Sequence, residues 1–399
     1  MLPNTVRPGL GLFAPITLLA AAGLAGCSNE SESQQAAEAA RAAAEVAAER
    51  EAVEFPASAQ AADAGNDEWE PYEGVFRAGV REVPPKPDNA VRLTSYNVLN
   101  LFDEQDDPAL SGDADDMHDR WDNLRAKPAG QLQAVADAIR AIDVDVIGLQ
   151  EIESEQALLW FRDNYLADMG YEHVLSEDVQ HARGIEQSVL SRFPIVEHRT
   201  WPREPLGANH PEDPALMQSR EREKAGQEIV FRRSPLFALV EIPAGARGND
   251  QPYELGLFVV HHKSGRVNDY WRDAEAARIR ELIAEMQTQH PDRNIALLGD
   301  FNATPGAASV RSYSEQLGFI DTLADRSVGD TASLTHASGR AIDFIFVNPA
   351  MERELVPGSA FVYATPLRPR EFDWRTTPTP IGYAADHMPV TMDLVPVDR

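Results

Sequence analysis

The chain has 399 residues, 43% of them hydrophobic and 25% charged, which places it among globular proteins with room for one large domain or two modest ones. Its net charge of −28 argues against a broad electrostatic footprint on nucleic acid, because a phosphate backbone would be repelled over most of the surface; a local basic cleft is still allowed. With one cysteine, no internal disulfide can form.

Residues 1–27 carry Arg7, an apolar stretch from Leu10 to Leu24 interrupted by Pro15, and the ending Leu24-Ala25-Gly26-Cys27. The segment is too short and broken to span a bilayer and reads as a signal peptide. Leu-Ala-Gly-Cys resembles a bacterial lipobox, in which Cys27 becomes the acylated first residue of the mature chain. Ser28 stands where an inner-membrane retention signal usually has Asp, which implies a lipid anchor in the outer membrane of the cell envelope. From 28 to 73, twelve acidic and two basic residues among Ala, Gln and Ser carry a net of −10. Gln34 to Glu54 favours helix, but its Ala-rich face buries little, so 28–73 reads as a tether. Arg7 adds +1, so residues 74–399 keep −19; they show no further boundary and form one domain.

Within that domain short apolar runs alternate with helical patterns. Strands are predicted at residues 91–96, 144–150, 171–175, 188–190, 236–242, 255–261, 294–299, 341–347 and 388–394. Leu132, Val135, Ile139 and Ile142 recur at helical spacing, as do Ile279, Leu282, Ile283 and Met286. Interleaved strands and helices give an α/β class. Residues 199–233, polar and rich in Pro, Glu and Arg, read as a long surface insertion.

Five of these strands run into residues that a core rejects. The first leads to Asn97, and VDVIGLQEIE delivers Gln150 and Glu151 straight after an apolar run. A carboxylate there is paired or bound to a metal, since an isolated buried charge is too costly. LGLFVVHHKS ends on His261, His262 and Lys263, where a period of two puts His261 and Lys263 on one face and His262 on the other. In LLGDFNATP, Asp300 and Asn302 look one way while Phe301 enters the packing. Asp343 interrupts AIDFIFVN and needs a partner, for which His387 in ADHMPV is the natural choice: a buried Asp fixes an imidazole tautomer and raises its basicity.

Carboxylates, amides, histidines and a lysine without a cysteine ligand or an HExxH helix argue against a zinc hydrolase site. Oxygen ligands such as Glu151 and Asp386 suit a hard cation, Mg²⁺ first, with Mn²⁺ or Ca²⁺ as alternatives. With no GxSxG elbow, hydrolysis of a phosphate ester by activated water is what remains.

LTSYNVLNLFD, VDVIGLQEIE, RGIEQSVLSRFPI, VVHHKS, LLGDFNATP, AIDFIFV and ADHMPV, in this order over roughly residues 91 to 394, resemble the endonuclease/exonuclease/phosphatase superfamily. The resemblance implies a four-layer α/β sandwich, two packed mostly antiparallel sheets flanked by helices. It implies Glu151 as metal ligand with Asn97 beside it and Asp386 as a second, His387 as catalytic base held by Asp343, Asp300 and Asn302 on the attacking water, and His261 on the phosphate or leaving group. The resemblance gives His262 no role and leaves it structural, and makes Lys263 and Arg183 candidates for phosphate contact. Ala385 stands where many members carry Ser, which puts that hydroxyl's hydrogen bond in doubt but not the Asp-His pair. The expected activity is a metal-dependent phosphodiester hydrolase, first a cell-envelope nuclease with nucleic acid as substrate and no protein partner implied. The alternatives are a phosphoesterase on a small or lipid substrate, using Phe372 and Trp374 as a membrane hairpin, and an inactive anchored binding protein, which the complete residue set disfavours.

Overall fold

The structure, a computed structural model, describes residues 71–105, 126–181, 183–324, 331–373 and 377–398. The signal peptide, the lipidation site Cys27, nearly all of the expected tether and Trp374 lie outside these residues. Among the described residues no helix is long and apolar enough to cross a membrane.

Fourteen strands are described: β1 (Val91–Leu101), β2 (Val146–Ile152), β3 (His173–Ser176), β4 (Glu186–Ser191), β5 (Ile195–Thr200), β6 (Pro205–Asn209), β7 (Glu228–Val230), β8 (Leu236–Ile242), β9 (Tyr253–His261), β10 (Asn294–Asp300), β11 (Ile320–Asp321), β12 (Asp343–Val347), β13 (Phe361–Val362) and β14 (Val390–Leu394). They form two six-stranded sheets, β13-β14-β1-β2-β4-β3 and β11-β12-β10-β9-β8-β5, and a small β6-β7 pair. Each large sheet is antiparallel except for one parallel pair at its centre, β1 with β2 and β9 with β10. These central strands are apolar on both faces because both faces are covered. On β9, Leu255, Leu257 and Val259 pack between the sheets, while Phe258 and Val260 face outward.

The outer layers are helical. Helix α1 (Ala129–Ile142) lays Leu132, Val135, Ile139 and Ile142 on the first sheet. Helix α2 (Glu155–Tyr165) joins it, capped by Ser154, whose Oγ accepts the Ala157 N–H at 3.0 Å. Helix α3 (Asp269–Gln289) covers the second sheet with Ile279, Leu282 and Ile283, helped by α4 (Ala308–Leu317). The result is the helix–sheet–sheet–helix sandwich expected.

Residues 199–233 require a correction. They are not only a surface insertion, because Trp201, Leu206, Ile229 and Phe231 are buried in the core cluster between the second sheet and α3. These four apolar residues are spread among polar ones without a helix or strand period, so their burial left no pattern to read. At the other end of the chain, residues 71–80 form a strap along the last loops, with bridges from Glu73 to Ile381, Val75 to Leu367 and Val80 to Tyr363.

Candidate active site

The carboxyl ends of the two central parallel pairs meet at one end of the sandwich, where ligands of parallel strands bind. On the first sheet, Asn97 lies opposite Gln150, and the register then shifts on β1 after Asn97 and on β2 between Gln150 and Ile152. Glu151 occupies that irregularity with φ 66°, a backbone conformation costly for a residue with a Cβ. Gln150 stays in the packing, donating to Gly148 O at 3.3 Å, while Glu151 is turned towards the cleft end. Its Oε2 accepts the Asn100 N–H at 3.1 Å, and the Leu99 N–H donates to Asn97 Oδ1 at 3.0 Å. The strain of Glu151, Leu99 and Asn100, all with positive φ, is thus held in place by the site's own hydrogen bonds.

On the second sheet, Asp300 is in register with His261 on β9 and with Asp343 on β12, so three titratable side chains sit abreast on adjacent strands. Asp300 Oδ1 accepts the Asn302 N–H at 2.8 Å; Oδ2 accepts Asn302 Nδ2 at 3.0 Å and Asn97 Nδ2 at 3.2 Å. The last of these bonds ties the two sheets together. Glycine is required just before, because a Cβ on Gly299 would lie 1.9 Å from Val260 O and push the parallel pair apart.

Asp343 holds His387 as expected: both carboxylate oxygens lie 2.9 Å from His387 Nδ1. Thr335, not anticipated, donates its hydroxyl to Asp343 Oδ2 at 2.6 Å and accepts the Ile342 and Asp343 N–H groups. His387 Nε2 is 3.8 Å from Asp300 Oδ2. Burial opposes charge on His387, but Asp343 and Asp300 outweigh it and hold the imidazole well above its ordinary value. Burial, with Asp343, raises Asp300 to about 6 against the pull of His387. Two proton carriers therefore face each other across a gap in which a proton can be exchanged.

His261 Nε2 stands 3.4 Å from Asp300 Oδ2 and 3.8 Å from Glu151 Oε1, so the imidazole lies between the first sheet's carboxylate and the second sheet's. Sequence reasoning missed its main partner. Arg233 Nη1 lies 2.5 Å from His261 Nε2 and 3.1 Å from His262 O. Arginine only donates, so Nε2 is the acceptor and His261 carries its proton on Nδ1. Burial, then Arg233, accordingly holds His261 well below the ordinary imidazole value. The only signal for Arg233 was an Arg-Arg pair just before an apolar strand, inside a segment read as surface.

His262 packs as a structural residue, its ring stacked on Phe301 with centroids 5.2 Å apart. Lys263, expected at the phosphate, has its ammonium 3.2 Å from Ser264 O and 3.8 Å from Glu221, over the Trp271 ring. Arg183 donates to Asn100 Oδ1 at 2.7 Å, which places it at the loop that holds Glu151. Phe372 packs edge-on against Tyr72 at 5.5 Å.

Asp386 lies beside His387, 3.9 Å from its Nε2, and is gripped by His336, whose Nε2 is 3.3 Å from Asp386 Oδ2. The Ser338 N–H donates to His336 Nδ1 at 3.0 Å, so the His336 proton is on Nε2 and is aimed at Asp386. Among the described residues, Asp386 Oδ1 is buried without a hydrogen-bond partner. Lys127, also unanticipated, is buried nearby and donates to Leu99 O at 3.0 Å; burial lowers its ammonium to about 8 against Asp386 and Glu151, which both raise it. The open oxygen of Asp386 is a buried donor that fits a hard divalent cation. Among the described residues, two groups of three potential ligands have their ligand atoms within 4.8 Å of one another, His336, Asp386 and His387, and Asp300, Asp343 and His387; Glu151 belongs to neither.

Solved structures similar to this chain include the human nocturnin catalytic domain, with 14% identity over 77% of this chain and 95% of that one and a TM-score of 0.46. An endonuclease/exonuclease/phosphatase family protein from Bacteroides thetaiotaomicron has 17% identity over 76% and 97%, with a TM-score of 0.46. A mannosyl-6-phosphatase from the same organism has 17% identity over 76% and 99%, with a TM-score of 0.45. No curated protein matches the chain by sequence. The sequence model of the endonuclease/exonuclease/phosphatase family matches residues 94–359, well over half of the chain, and the protein belongs to that family.

Proposed function

We propose that the protein is a divalent-metal-dependent phosphodiester hydrolase acting on nucleic acid at the cell envelope. The observation that carries the reading is the convergence of Glu151, His261, Asp300 and His387 from the two sheets, with His261 Nε2 at 3.8 Å from Glu151 and 3.4 Å from Asp300, and His387 Nε2 at 3.8 Å from Asp300. Glu151, Asp386 and Asn97 would hold the cation, Mg²⁺ first, whose chemistry is to polarise the phosphoryl oxygen and offset its growing charge. Asn302 and Asp300 position the attacking water. Its proton passes to the Asp300–His387 pair, with Asp343 and Thr335 keeping Nε2 of His387 turned to the reacting side. Arg233 and Arg183 supply fixed positive charge for the phosphate, with His261 oriented by Arg233. These guanidinium groups support a polyanion as substrate; the −19 carried by residues 74–399 confines that contact to the site.

The test is hydrolysis of bis-p-nitrophenyl phosphate and nicking of plasmid DNA by purified protein with Mg²⁺. Both are expected, and chelation with EDTA should abolish both, with recovery on adding Mg²⁺. Turnover of the small diester without DNA cleavage would overturn the nuclease half of the reading, and chelator-resistant turnover the metal half. Anchoring is tested separately: Cys27→Ser should move the protein from the outer-membrane fraction to the soluble one, and unchanged fractionation would refute a lipid anchor at Cys27.

A further inference from the structure

The turn from His336 to Gly339 is fastened to the chain on both sides of His387. The Ala337 N–H donates to Asp386 O at 2.7 Å and the Met388 N–H to Thr335 O at 2.7 Å, while the Gly339 N–H closes the turn on His336 O at 2.9 Å. This backbone frame sets the half-buried His336 ring edge-on to that of His387, with centroids 4.6 Å apart, and brings its Nε2 to 3.3 Å from Asp386 Oδ2.

A histidine beside a carboxylate that fits a cation is a candidate for a further ligand, and the ligand atoms of His336, Asp386 and His387 are close enough for one ion. Its hydrogen bonds make it something else. A ligating nitrogen offers a lone pair, whereas Nε2 of His336 carries the proton, because Nδ1 accepts the Ser338 N–H at 3.0 Å and a backbone N–H only donates. The Ser338 hydroxyl stands 2.7 Å from the same nitrogen, and its oxygen accepts Arg340 Nε at 2.8 Å, which leaves the hydroxyl proton for Nδ1. Two donors behind the ring thus fix the tautomer, and the Nε2 proton is aimed at Asp386 Oδ2. A carboxylate has two equivalent oxygens and turns about its own bond. A proton bearing on Oδ2 removes that freedom and leaves Oδ1, which lies 3.9 Å from His387 Nε2 and has no hydrogen bond among the described residues, for the cation.

We propose that His336 is a positioning residue for the cation: its Nε2–H holds Asp386 Oδ2 so that Oδ1 is presented to the metal, and cation affinity depends on that donor. The proposal rests on the metal-dependent reading above, in which Asp386 is a ligand. Two substitutions separate the donor from the ring. His336→Phe keeps a ring against His387 and has no N–H; His336→Gln loses the ring, but its side-chain amide offers an N–H at similar reach. Calorimetric titration of Mn²⁺ into chelator-treated protein should give a Kd weaker by about 10-fold or more for His336→Phe, and within about 3-fold of the natural protein for His336→Gln. The Mg²⁺ concentration for half-maximal hydrolysis of bis-p-nitrophenyl phosphate should rise in the same proportion. Equal Mn²⁺ binding by His336→Phe and the natural protein would overturn the proposal. Equal losses in His336→Phe and His336→Gln would overturn it too, by tracing the effect to the ring.

The natural protein supplies a readout that needs no substitution and decides the case even where a variant does not fold. Imidazole nitrogen chemical shifts of protein with isotope-labelled histidine should show the His336 proton on Nε2 after chelator treatment, and it should stay there when Mg²⁺ is added. Its transfer to Nδ1 on adding Mg²⁺ would make His336 a ligand and the proposal wrong. Failure of the underlying reading looks different. If the natural protein binds no Mn²⁺, the metal-dependent reading falls and the proposal with it; if it binds Mn²⁺ but cleaves no diester, the catalytic reading falls and the Mn²⁺ titrations still decide the role of His336.

Discussion

His387→Ala is expected to lower kcat for phosphodiester hydrolysis by at least roughly two orders of magnitude, the loss that follows removal of a positioned proton carrier. Asp300→Ala should lose at least as much, because it removes both the carboxylate facing His387 at 3.8 Å and the acceptor for Asn302 and Asn97. Asp343→Asn isolates orientation from proton transfer: the amide keeps the shape but no longer stabilises the proton on His387 Nδ1, which both Asp343 oxygens now accept at 2.9 Å. A kcat loss of similar order is expected, with KM little changed. Initial rates on bis-p-nitrophenyl phosphate at saturating Mg²⁺, with circular dichroism to confirm folding, check all three. Retained activity in His387→Ala and Asp300→Ala would refute the roles assigned here.

Asp393→Ala is expected to destabilise the fold by about 3–5 kcal/mol, the cost of leaving a buried charge without its partner. Arg92 and Asp393 bridge β1 and β14 with Nε to Oδ1 at 2.7 Å and Nη2 to Oδ2 at 2.8 Å, and their side chains are 2% and 1% exposed. Adding Arg92→Met should recover much of the loss, because an apolar pair of similar volume carries no desolvation penalty. Urea midpoints of the single and double variants measure both effects. A loss under about 1 kcal/mol for the single change would mean that water reaches Arg92 and screens it.

The interior of the fold could be read from the chain because its strands are buried on both faces. Runs such as 146–149 and 295–299 are apolar without a break, and the residues that follow each one are conspicuous. Asn97, Glu151, His261, Asp300 and Asp343 stand out for this reason, and their meeting at one end follows from the shared carboxyl ends of the parallel pairs. Arg233, Thr335, His336 and Lys127 do not stand out. They sit in polar loops or at a strand's approach, where an arginine, threonine, histidine or lysine is unremarkable, and only the packing shows that Arg233, Thr335 and Lys127 are buried, and His336 half-buried, beside the site's carboxylates and imidazoles. Lys263 shows the reverse: a period of two put it on the face of His261, but the chain leaves β9 at His261 and the ammonium turns to Glu221.

By itself the sequence determined the α/β class, the strands that carry chemistry and the residue types available to it, since burial periodicity and interrupted apolar runs are local properties; the layer order came from the family resemblance. Which hydrogen-bond partner each of those groups has was decided by the tertiary structure alone. Loops distant along the chain bring Arg233 to His261 and His336 to Asp386, and those meetings set the tautomer of one imidazole and the aim of one carboxylate. Contacts of this kind depend on how two sheets and their loops close in space, and no spacing in the chain encodes them.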